Sequence, residues 1–152
     1  MPPHLPSTQA AVTALVEIAG AYGLETTVTD DIGADRTSRR TAAPAFTATD
    51  PDGSLPHEAY VEIAGPPRTT LRLFPEGDTL ITVEGVDFPD VPRDSAPDFL
   101  RAVLDGRARV TGRFFPPGQW LVVPLPGGET HRELIPLPTL TPWLARAARS
   151  RP

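Results

Sequence analysis

Twenty prolines and twelve glycines make up about a fifth of this 152-residue chain, against a usual share of ~12%. Proline is excluded from helix interiors and central strands, so the chain must fold into short elements separated by many turns. The length suits one domain spanning 1–152, with flexible ends at 1–6 and 150–152, and a domain of this size buries roughly 70% of the surface its unfolded chain exposes. One core is therefore enough.

Periodicity places the elements. Ser7 can cap a helix running to about Tyr22, with Val12, Leu15, Ile18, Ala19 and Tyr22 on one stripe and Gly23 as a left-handed stop. A strand follows at 24–29, and the polar stretch 30–44 reads as a long loop. From Ala45 the pattern turns to period two, predicting short strands at 45–49, 59–64, 69–74 and 79–83, broken by turns such as Asp50-Pro51-Asp52-Gly53 and Pro75-Glu76-Gly77-Asp78. Ser95 and Asp98 have the spacing of a capping box that opens a helix ending at Gly106. A hairpin is predicted for 107–115 with 119–123, then a strand at 130–135. Thr141-Pro142 opens a last helix with Arg146 and Arg149 suiting its C-terminal dipole. This order predicts an α+β fold: a curled antiparallel sheet of short strands with an N-terminal helix, a middle helix and a short C-terminal helix.

The side-chain inventory narrows the chemistry. The chain has no Cys, no Lys and three His, which removes thiolate nucleophiles, Schiff-base amines and thiolate metal sites. Acid/base work falls to His4, His57, His131 and the carboxylates, and these sit in no spacing that catalysis demands. No run of 18 apolar residues and no signal-peptide pattern occurs, so a cytoplasmic protein without membrane contact is expected.

Charge is unevenly divided. Residues 1–100 carry sixteen acids against six Arg, and residues 101–152 three acids against eight Arg. An acidic part of that size repels phosphate within a Debye length of about 8 Å, which argues against nucleic acid and favours a charged protein partner.

Three clusters could carry function. Asp87, Phe88, Asp90, Val91 and Asp94 lie in a Pro-stiffened acidic segment that could dock on a basic surface with Phe88 as anchor, or serve as a connector. Arg107, Arg109 and Arg113 would line one strand face that could grip an anionic partner or pair across the sheet, with Val110 and Phe114 buried behind them. Glu129, His131 and Glu133 would alternate onto one face, as an acid/base cluster or as ordinary solvent-facing residues. The expectation is a partner-binding site on the first two clusters, no catalytic residue, no cofactor and no metal.

The layout of a leading amphipathic helix, a run of short strands, a helix ending in Leu104-Asp105-Gly106 and a closing hairpin with Gly118-Gln119-Trp120 resembles small actinobacterial immunity proteins that neutralise polymorphic or secreted toxins. The resemblance spans the chain as architecture. It implies a non-enzymatic cytoplasmic inhibitor, monomer or homodimer, that occludes the active site of a toxin domain with a basic surface. The layout is similar also to dimeric secretion-chaperone-like domains, and a small enzyme using Glu129, His131 and Glu133 is a third reading.

Overall fold

The computed structural model describes residues 5, 7–30, 58–113, 117–136 and 141–149. The expected strand at 45–49, the loop after Asp30, the chain ends, Phe114, His4 and His57 lie outside the described residues. Among the described residues the architecture is α+β, with three helices and two antiparallel sheets.

Helix α1 (Thr8–Ala21) starts where Ser7 turns from extended backbone and its Oγ accepts the Ala10 N–H at 3.1 Å. Its stripe of Ala11, Val12, Leu15, Ile18 and Ala19 is buried. Gly23, at φ 72°, ends it. Ser7→Ala leaves one first-turn N–H without its partner and should cost about 1 kcal/mol, read as a lowered urea midpoint with an unchanged slope.

Strands β1 (Thr26–Asp30), β2 (Ala59–Ile63), β3 (Thr69–Leu73), β4 (Asp78–Val83) and β5 (Val86–Pro92) form a meander in spatial order 1-2-3-4-5. The even residues of β1 share a face with Ala59, Val61 and Ile63 of β2, then with Thr69, Leu71 and Leu73 of β3, Ile81 and Val83 of β4, and Val86 and Phe88 of β5. From β2 to β5 that face is buried, and α1 lies against it. The β4–β5 turn is two residues long, with Glu84 at φ 49° and Gly85 at φ 85°. Two positive φ values give the hand of turn that matches strand twist.

A 3-10 turn (Arg93–Ser95) leads into α2 (Ala96–Leu104). Ser95 was expected to cap this helix, and it does not: its backbone is already helical and its side chain makes no capping bond. The chain arrives wound through the 3-10 turn, at whose start the Arg93 N–H bonds the Gly77 carbonyl at 2.7 Å. Phe99, Leu100 and Val103 of α2 are buried. Tyr22, just past α1, donates its hydroxyl to the Asp105 carboxylate at the end of α2, and this bond is the main cause that raises the Tyr22 pKa above the ordinary phenol value.

The second sheet holds β6 (Arg109–Arg113), β7 (Gly118–Pro124) and β8 (Thr130–Leu134) in order 6-7-8. Leu121 and Val123 of β7 enter the same core as α1, α2 and the first sheet, and β8 lies beside β5. Helix α3 (Pro142–Arg149) packs along β6, with the Thr141 Oγ1 accepting the Leu144 N–H at 3.3 Å. The helices thus cover the inner side of a curled pair of sheets. The outer side of the five-stranded sheet carries no described element.

Candidate functional site

On that outer side the strand register assembles a row of polar residues. Thr27 of β1 stands opposite Glu62 of β2, Glu62 opposite Thr70 of β3, Thr70 opposite Thr82 of β4, and Thr82 opposite Asp87 of β5. With strands about 4.8 Å apart, the row runs roughly 19 Å across the sheet. Threonine is short and β-branched, so it packs a pleated surface without screening its neighbours. Thr82 donates its hydroxyl to Asp87 Oδ1 at 2.7 Å, which fixes that carboxylate.

At one end of the face, beside the Gly65-Pro66-Pro67 turn between β2 and β3, lies an open hollow of about 450 Å³ lined by Glu25, Glu62, Arg68, Thr70 and Glu84. A second hollow of about 360 Å³ continues it past Thr82. Glu25, Glu62 and Asp87 are exposed and Glu84 half-buried. Three carboxylates, those of Glu25, Glu62 and Glu84, thus gather around one guanidinium, that of Arg68, which forms no ion pair with any of them, and Asp87 closes the row on β5. The other end of the face is neutral by pairing: Arg72 bonds the Glu58 carboxylate and lies over the Phe74 ring, 5.4 Å from its centroid.

The sequence-predicted residues separate. Asp87 joins the outer row, and Asp90 is exposed. The acidic segment is no semi-rigid loop: it is strand β5 and the turn after it. Phe88 and Val91 are 1% and 0% exposed and belong to the protein's own core, so neither is an anchor for a partner. Alternation decides this for Phe88, because a strand that turns Asp87 outward must turn Phe88 inward, and the register shift in the β4–β5 ladder turns Val91 to the same buried side. Asp94 accepts the Leu5 N–H at 2.7 Å and holds the start of the chain against the 3-10 turn.

The Arg cluster is also divided. Arg107 lies before β6 and pairs with Asp105 at 3.3 Å. Arg109 is half-buried, its Nε enclosed without a hydrogen-bond partner. Arg113 shares its strand face by register, opposite Gly118. Val110 is half-buried against the core, less deeply than the sequence suggests, because β6 is a sheet edge.

His131 and Glu133 share the half-buried side of β8, while Glu129 precedes the strand and its side chain is exposed, so the three do not form one strand face. The His131 ring meets Phe99 edge-on with centroids 5.8 Å apart, and its Nε2 stands 3.5 Å from Glu129 Oε1 without a hydrogen bond. Among the described residues no three His, Asp or Glu side chains are placed to hold a metal ion, and no helix is long and apolar enough to cross a membrane.

Sequence reasoning passed over Glu25, Glu62 and Arg68, and took Glu84 only as the first acid of the segment that holds Asp87. Each reads alone as the polar half of an alternating strand or as a turn residue, and only the strand register brings them together. The available signal was the sequence of tight turns, which sets the meander and hence the register. Compared with known proteins, the chain matches no family model, no curated protein and no solved structure.

Proposed function

We propose that this is a binding protein that docks a basic partner protein on the outer face of its five-stranded sheet, in the manner of an immunity protein inhibiting a toxin domain in the cytoplasm. The observation that carries the reading is the gathering of Glu25, Glu62, Glu84 and Asp87 at one end of an open, threonine-rich sheet face. Carboxylates held on a rigid sheet steer a cationic partner to the face and reject acidic ones. Their uneven placement also sets the orientation in which the partner lands. The resemblance in layout to toxin-neutralising proteins supplies the partner class.

The test is association kinetics with a basic toxin domain encoded beside this protein's gene, measured at two salt concentrations together with inhibition of that domain. The triple variant Glu25→Gln, Glu62→Gln, Glu84→Gln should fold as the parent does and associate roughly tenfold more slowly, with a flatter salt dependence. Unchanged rates and an unchanged salt slope would take the acidic face out of the interface.

A further inference from the structure

Among the described residues, no strand pairs with the outer edge of β1 in the five-stranded sheet. The Glu25 carbonyl accepts a hydrogen bond from the Ala64 N–H. In an antiparallel ladder bonded and non-bonded pairs alternate, so Thr27 and Thr29 also turn their N–H and C=O groups toward β2, while Thr26 and Val28 turn theirs away. Among the described residues nothing bonds those outward groups.

The remaining edges are guarded. β5 carries Pro89 and Pro92, its ladder with β4 shifts register between Thr79 and Ile81, and β8 lies beside it. α3 lies along β6. Among the described residues, β1 has neither proline, register shift nor covering element: Thr26-Thr27-Val28-Thr29 is uncharged and β-branched, its one charge is Asp30 at the strand's end, and Val28 is 36% exposed. Sheet proteins normally blunt such an edge with charge, proline or a bulge.

We propose that β1 receives an extended basic segment of the partner protein by strand addition, with Arg or Lys at alternate positions on the outer side of the sheet. This rests on the docking reading above and names how the partner engages the acidic face. An added strand would lie about 4.8 Å from β1 and about 9.6 Å from β2. A long cationic side chain opposite Thr27 passes over that short residue and reaches Glu62, the next member of the row. A second cation two positions along meets Glu25. Main-chain bonds to Thr26 and Val28 supply affinity, and the alternating cations supply specificity.

The experiment uses the full chain and two blocked synthetic peptides, Thr-Arg-Val-Arg-Val-Arg-Thr and its counterpart with Glu in place of Arg, with amide hydrogen exchange followed residue by residue. The Arg peptide at millimolar concentration should slow exchange at Thr26 and Val28 about tenfold and leave Thr27 and Thr29 unchanged. The Glu peptide should do nothing. Val28→Pro removes one outward N–H without touching the β2 ladder and should abolish the effect, while Glu62→Gln should weaken it several fold.

Equal action of both peptides, or no slowing with the Arg peptide, would overturn the proposal. So would outward amides already protected in the free protein: at all concentrations this would mean that the chain covers its own edge, and only at high concentration that a second copy does. The unsubstituted protein gives these answers even if Val28→Pro fails to fold. If the triple Glu→Gln variant loses the Arg peptide while Val28→Pro keeps it, the acidic face stands and strand addition falls. If both keep it, both readings fall.

Discussion

Phe88→Ala should weaken the fold itself rather than loosen a complex. Phe88 is 1% exposed, and its ring meets Phe99 edge-on, at 70° and 4.9 Å between centroids. Phe99 in turn meets His131. This chain of rings ties β5 to α2 and α2 to β8, so it joins the two sheets across the middle helix. Removing a buried phenyl costs about 3–5 kcal/mol through lost transfer energy and the cavity left behind. Whole domains are stable by only about 5–15 kcal/mol. A urea titration followed by far-ultraviolet circular dichroism should show the midpoint lowered by more than about 1 M. A midpoint equal to the parent's would place Phe88 on the surface after all.

The difficulty of reading β5 from sequence has a physical cause. Pro89 and Pro92 lack the N–H that a central strand needs, and a segment with two prolines and several acids has the composition of a connector. The strand is possible because β5 is the last in its sheet and its ladder is irregular near Thr79 and Ile81. The ends of the other hairpins were legible because turn residues mark them, as Pro75-Glu76-Gly77 does between β3 and β4. Helix α1 was legible because an apolar stripe, a serine cap and a terminal glycine all agree.

Fold and candidate site differ in how far local pattern reaches. Alternation along β2 to β4 tells which residues face the core, and the buried set Val61, Leu71 and Ile81 follows from it. It gives no rank among the outward residues. Glu62 becomes part of a site only because Thr27 and Thr70 flank it in the ladder and Glu25 and Glu84 approach from turns at the same end. The clusters singled out as sequence neighbours came apart for the converse reason: in a strand, adjacent residues face opposite sides, so Asp87 and Phe88 cannot serve one surface.

The second sheet offers the sharpest contrast between pattern and position. Val110 of β6 and Leu121 of β7 stand opposite each other, Val110 between the polar Arg109 and Thr111 and Leu121 within the apolar run Trp120-Leu121-Val122-Val123. Yet Leu121 is fully buried in the central strand, while Val110 is half-buried at the edge. In Leu121→Asp a carboxylate would enter the core with Val123 two residues along the same strand face and Glu133, a like charge, directly across the ladder. A buried charge without a partner costs several kcal/mol or more, which is comparable to the stability of the whole domain. In Val110→Asp the side chain can turn toward water at the sheet edge, and the loss should stay near the ~1 kcal/mol typical of point changes. Thermal melts of the two variants should therefore diverge. Leu121→Asp is expected to lose the cooperative transition, and Val110→Asp to keep it at a lower midpoint. Equal losses would mean that β6 is enclosed as deeply as β7 and that its inner side belongs to the core in full.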